Sequence, residues 1–164
     1  MIRSVTGKLL LTILFFTAGS VIAEAQRIPV PNITMSTLDG GEWSLRDRKG
    51  EVVVLNFWAT WCEPCRTEVP YLIRLRGELG GKGLSVAGVA LDESTDMVRK
   101  FVAEYKVDYP LLIPPAGSPW TKLENTPATL IIDREGRLAQ KYIGAVPEKE
   151  LRREVETLLA EPAR

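Results

Sequence analysis

The 164-residue chain contains no histidine and only two cysteines. The first absence removes Ser-His-Asp and Cys-His catalytic arrangements. It also removes the histidine-containing zinc, blue-copper and haem sites. Two thiols cannot complete a four-thiolate zinc or iron–sulfur site within one chain. Neither sign of charge is in excess, because 21 basic residues balance 21 acidic ones. That argues against an electrostatic footprint for nucleic acid. The sequence has no internal repeat, no low-complexity block and no cofactor-binding motif. Composition is otherwise that of a globular protein, 45% hydrophobic and 26% charged, and the length suits one domain. The chemistry left is that of two thiols, carboxylates, amines and hydroxyls.

Long apolar runs are scarce as well, and the longest lies at the N-terminus. Arg3 and Lys8 precede an apolar stretch over 9–16 that weakens toward Ala23, and Ala23-Glu24-Ala25 fits a small-x-small cleavage pattern. This reads as a secretory signal peptide over 1–25, leaving a single domain over 26–164. An uncleaved N-terminal membrane anchor is the alternative. Against it, the run of about 15 residues is shorter than the roughly 20 that a spanning helix needs, and Gly19 and Ser20 interrupt it. No cysteine lies near the cleavage site to carry a lipid. Export would place the domain where disulfides form and persist.

The rest of the chain alternates strand and helix patterns. A hairpin is expected over 34–45, turning at Asp39-Gly40-Gly41. The apolar, β-branched run over 52–57, with Asn56 as its one polar residue, suits a buried strand. Val69, Leu72, Leu75 and Leu79 then recur at helical spacing until Gly80-Gly81. A second buried strand is expected over 84–91. A helix capped by Ser94 should follow to about Tyr105, with Val98, Phe101, Val102 and Tyr105 on one face. A short strand falls within 109–113, and a Pro-rich loop follows. Strands over 129–133 and 138–142 flank a turn at 134–137, and Pro147 opens a last helix. The order implies an α/β fold: a central mixed sheet, parallel in its first part, with helices on both faces.

The segment from Val54 to Cys65 reads strand, short turn, then Cys-x-x-Cys at a helix start. Three residues on one helical turn bring two sulfurs within bonding range. A helix N-terminus favours negative charge, so Cys62 can be a nucleophilic thiolate near neutral pH. Cys65, one turn further in, should be more buried and act as the resolving thiol. Pro64 is tolerated in the first turn, where its missing donor has no partner anyway, and Pro70 should kink the helix. A Cys-x-x-Cys after a strand in a βαβ pattern is a redox signal of thioredoxin type. An inert disulfide and half of a soft-metal site are the other readings of the pair.

Phe57-Trp58-Ala59-Thr60-Trp61-Cys62-Glu63-Pro64-Cys65, followed by Glu68 and Pro70, resembles the TlpA/ResA-like branch of the thioredoxin superfamily. The resemblance runs over about 33–159. It implies a thioredoxin-like fold with an N-terminal β-hairpin and an added β-α unit over 84–105. It also implies an exported, often membrane-tethered thiol–disulfide oxidoreductase that needs no cofactor. Thr126-Pro127-Ala128-Thr129 matches the branch's cis-proline loop, which implies that Thr126 and Pro127 meet the substrate strand beside the disulfide. Trp61, Glu63 and Pro64 would complete the substrate-binding rim. Glu68 matches the branch's active-site glutamate, implying a part in proton transfer. Asn56 stands where plain thioredoxins carry a buried aspartate, and an amide cannot take that aspartate's proton. The resemblance thus implies a catalytic set of Cys62, Cys65 and Glu68.

Glu63 sits directly after Cys62, and its charge opposes the helix-end field. The thiolate should be less stable than in a strong oxidant, and the pair harder to reduce. The expectation is a reductase of disulfides in exported proteins, re-reduced by a membrane thiol–disulfide electron donor. The resemblance suggests apocytochromes c among the substrates. A monomer is expected, with no nucleic-acid partner and no metal. A disulfide donor or isomerase and a non-enzymatic copper-binding assembly chaperone are the alternatives. A peroxidase of peroxiredoxin type shares the fold, but Pro-x-x-x-Thr-x-x-Cys is missing ahead of Cys62.

Overall fold

The computed structural model describes residues 27–92, 94–122 and 125–162. The expected signal segment over 1–25 lies outside the described residues. The strands are β1 (Ile28–Pro29), β2 (Thr34–Thr37), β3 (Glu42–Ser44), β4 (Val52–Trp58), β5 (Leu84–Ala90), β6 (Leu111–Ile113), β7 (Ala128–Ile132) and β8 (Arg137–Ile143). The helices are α1 (Glu63–Leu79), α2 (Thr95–Tyr105) and α3 (Glu148–Ala160). Short 3₁₀ turns fall at Leu45–Arg48, Gly80–Lys82 and Pro119–Lys122. Ser94 occupies the N-cap of α2 without a side-chain capping bond. Pro70 lies inside a continuous α1.

The eight strands form one mixed sheet in the order β1-β8-β7-β4-β5-β6-β2-β3. Parallel pairing is confined to β4–β5 and β5–β6; the other pairs are antiparallel. All seven residues of β4 are buried, as its near-continuous apolar run requires. Its alternate side chains feed two cores. Val52, Val54 and Trp58 pack with α1, α2 and α3. Val53, Leu55 and Phe57 pack with Ile33, Met35, Trp43 and Leu45, and Trp120 closes over that side.

This corrects the expectation of helices on both faces: all three α-helices pack on one face. The chain steps β4 to β5 to β6 in one direction across the sheet, and right-handed crossovers then place α1 and α2 on the same side. Extended N-terminal segments and two 3₁₀ turns cover the other face. The N-terminal hairpin and the β5–α2 unit are present as expected. β1 was not foreseen: two residues pair with the start of β8. Among the described residues no helix is long and apolar enough to cross a membrane.

Candidate active site

Sheet topology gathers the chemistry at one end. The Cys62–Cys65 segment follows the C-terminal end of β4. β7 runs antiparallel to β4, with Ala128 opposite Phe57, so Pro127 enters the sheet at that same end. β8 runs antiparallel to β7 and leaves the sheet there too, leading into Val146. Strands distant in sequence thereby bring three loops to the first turn of α1.

Cys62 is the N-cap of α1 and forms a disulfide with Cys65, with Cα atoms 5.3 Å apart. The Cys65 backbone N–H donates to Cys62 Sγ at 3.3 Å. That bond and the helix-end field favour negative charge on this sulfur once the disulfide is opened. Cys62 is 4% exposed and Cys65 fully buried, so Cys62 is the slightly more accessible of two buried sulfurs. Thr60 holds the turn before them: its N–H and hydroxyl both donate to the Asp92 carboxylate at the end of β5. Trp61 projects outward, 68% exposed, and Glu63 and Pro64 are exposed in the first turn. The Thr126–Pro127 peptide is cis, and the Pro127 carbonyl accepts from Gly144 N–H at 2.8 Å.

One turn beyond Cys65, Glu68 is buried at 2% exposure. Its Oε1 accepts from Val146 N–H at 2.8 Å, and its Oε2 accepts from Asn56 Nδ2 at 3.0 Å. Asn56 Nδ2 also donates to Thr129 Oγ1 at 3.0 Å. Burial pushes the Glu68 carboxyl above the ordinary range; the donors from Val146 and Asn56 oppose that rise without cancelling it. The Tyr71 hydroxyl donates to Val146 carbonyl oxygen at 2.6 Å, and burial lifts its own pKa far above the ordinary value. The result is a disulfide one helical turn before a buried carboxyl that holds its proton more tightly than a solvated one.

The AhpC/TSA family profile matches residues 27–155. The chain belongs to this family. It is 34% identical over 127 residues to the thiol–disulfide oxidoreductase ResA of Bacillus cereus, spanning 74% of this chain and 71% of that protein. Among solved structures it is similar to a DsbF homologue from Corynebacterium diphtheriae, with 29% identity and a TM-score of 0.74, covering 81% of this chain and 88% of that one. It is also similar to a secreted thiol-disulfide isomerase from Corynebacterium glutamicum, with 29% identity and a TM-score of 0.72, covering 80% and 86%. The protein is a thiol–disulfide oxidoreductase with a thioredoxin-like fold.

Within this oxidoreductase the structure sets Cys62, Cys65 and Glu68 on one helix, with Trp61, Glu63 and Pro64 around its start. Thr126 and Pro127 reach the same end from β7. Sequence reasoning missed the network that reaches Glu68 through Asn56 and Val146. Thr129 is the lone hydroxyl among the apolar residues of β7 and so carried a visible signal. The Val146 N–H carried none, because a backbone donor does not show in residue type. Asp92 was legible only as a charge after a buried strand. Trp120 stacks on Phe57 with ring centroids 5.5 Å apart.

Proposed function

We propose that the oxidoreductase is an exported reductase of disulfides in extracytoplasmic proteins, with 1–25 as its signal peptide. The observation that carries the exchange chemistry is the buried Glu68 carboxyl one helical turn past Cys65, clamped by Val146 and Asn56. The Cys62 thiolate attacks a substrate disulfide, forming a Cys62–substrate bond and releasing one substrate thiolate. Cys65 passes its proton to Glu68 and attacks Cys62 Sγ. The second substrate thiol leaves, the substrate has gained two electrons, and Cys62–Cys65 remains oxidised. Thr126 and Pro127 border the bound substrate strand, and Trp61, Glu63 and Pro64 form the rim it rests against. A membrane dithiol donor then returns two electrons to the pair. Apocytochromes c, which must be reduced before haem attachment, fit this substrate class.

The direction of flow follows from Glu63, an exposed carboxylate in the turn that begins with Cys62. It weakens the field that would otherwise stabilise the thiolate, so the dithiol form is the less stable one. The equilibrium potential in thiol redox buffers, followed by Trp61 emission, tests this. A value below roughly −220 mV supports the reductase, whereas one above roughly −160 mV points to a disulfide donor or isomerase. Cys65→Ser should trap a mixed disulfide on Cys62. A variant that accumulates no such adduct with a disulfide-bonded protein substrate would exclude this order of attack.

A further inference from the structure

Asn56 lies on β4 among apolar neighbours and is 1% exposed. Its amide is used unevenly. Nδ2 donates twice, to Glu68 Oε2 and to Thr129 Oγ1, each at 3.0 Å. Oδ1 is buried with no hydrogen-bond partner. Two protons facing two acceptors is the arrangement an ionised Glu68 requires. A proton arriving at Glu68 upsets it. Oε1 is held by a backbone N–H, a donor that cannot become an acceptor. A proton on Oε2 would confront an Asn56 amide proton. The Tyr71 oxygen, whose own proton goes to the Val146 carbonyl, is the competing acceptor, and with it the amide would have no need to turn.

We infer that Asn56 is a positioning residue for Glu68, whose side-chain amide turns over about its Cβ–Cγ bond whenever Glu68 gains or loses a proton. This rests on the proton-transfer reading of Glu68 given above. After the turn, Oδ1 stands where Nδ2 stood. Its two lone pairs accept from protonated Glu68 Oε2 and from the Thr129 hydroxyl, which can donate as readily as it accepts. Two hydrogen bonds are kept in each state, and the outward end of the amide is without a partner in each. As the proton passes, the Cys65 S–H bond breaks and the Glu68 O–H bond forms; Asn56 exchanges no proton and holds the carboxyl by a hydrogen bond in both states. An aspartate at this position could not follow such a reversal, because an ionised carboxylate only accepts.

The oxidised full chain tests this, because Cys62 and Cys65 do not titrate when bonded. The other titratable groups facing Glu68 are Tyr71 on α1 and Tyr109 before β6. Both are raised by burial, so they keep their protons through the range where Glu68 titrates. Glu148 on α3, which acts on Tyr71, is paired with Arg74. The readout is the set of through-space NMR contacts from the Asn56 amide protons. They should touch Thr129 above the Glu68 midpoint and lose that contact below it, with the same midpoint as the Glu68 carboxyl carbon. Glu68→Gln, whose amide can present a donor to Asn56, should hold the reversed orientation at every pH. Contacts to Thr129 that persist through the titration and in that variant overturn the proposal.

Kinetics separate this inference from the reading beneath it. The reduced protein attacks an aromatic disulfide at Cys62, releasing one coloured thiolate; Cys65 then releases the second. Asn56→Leu should slow the second release about tenfold and move its pH profile. In a Glu68→Gln background it should add no further slowing. Equal slowing in both backgrounds would mean that Asn56 serves packing alone. If Glu68→Gln leaves the second release unaltered while the amide contacts still switch with pH, the proton-transfer reading falls and the reversal stands.

Discussion

Glu68 shows how burial sets a carboxyl's behaviour. Burial removes it from water, and its hydrogen-bond partners are a backbone N–H and an amide. The folded state therefore binds the Glu68 proton more tightly than the unfolded chain, whose carboxyl titrates near 4.5. Between that value and the raised folded one, the native state carries the extra proton, so stability falls as pH rises. The stabilising contribution is complete below 4.5 and is lost as pH climbs through the folded value. Glu68→Gln should flatten this part of the stability curve and leave the oxidised variant the more stable form at neutral pH. Denaturant titrations across pH would show it; parallel curves for the two proteins would contradict the assignment of burial as the dominant cause.

The added β5–α2 unit is held to the active-site helix by aromatic packing. Trp58, last residue of β4, meets Phe101 of α2 with ring centroids 4.7 Å apart, and Phe101 stacks on Tyr105 at 4.1 Å. Arg66, the residue after Cys65, lies over the Tyr105 ring, and its Nε–H donates to the Tyr105 hydroxyl at 3.1 Å. Gly88 in β5 makes room for this cluster. A Cβ there would come within 2.8 Å of Trp58 Nε1 and of Leu111 Cδ2, and within 3.2 Å of Tyr109. Gly88→Ala should thus overpack the junction of β4, β5 and β6 and destabilise the domain by about 1–3 kcal/mol. Urea unfolding measures the loss, and a variant as stable as the parent would show that Trp58 has space to withdraw.

Across the whole molecule, the two ends of the domain are tied together at the pole away from the disulfide. Asp133, 2% exposed, accepts from Arg137 Nε and N–H, from Glu135 N–H and from Arg27 Nη1. Arg27 also makes a bidentate pair with Glu161 beyond α3. A buried carboxylate with this many donors is costly to remove, since the donors lose their acceptor together. Asp133→Ala should cost about 3 kcal/mol, read as a lowered denaturation midpoint. Arg27→Ala should cost about 1 kcal/mol, because Arg27 is partly solvated. Neither substitution should move the redox potential, since both lie at the far end of the sheet. A shifted potential would reveal coupling along β7 or β8 to the active site.

Local pattern determined much of this protein. The apolar run of β4, the helical spacing of Val69, Leu72 and Leu75, and the glycines at the turns are short-range signals, and the elements fell close to their expected places. Cys62 and Cys65 were equally legible, because a three-residue offset at a helix start is itself the geometry of the pair. Tertiary structure decided what depends on contacts between distant segments. The side of the sheet that each helix covers follows from strand order and crossover hand, which no single element encodes. β1 is two residues long and exists only through its pairing with β8. The environment of Glu68 is assembled from Asn56 on β4, Thr129 on β7 and a backbone N–H at Val146, the last 78 residues away in sequence. Residue type names a carboxyl; only the fold removes its water and supplies its partners, and those set how tightly it holds a proton.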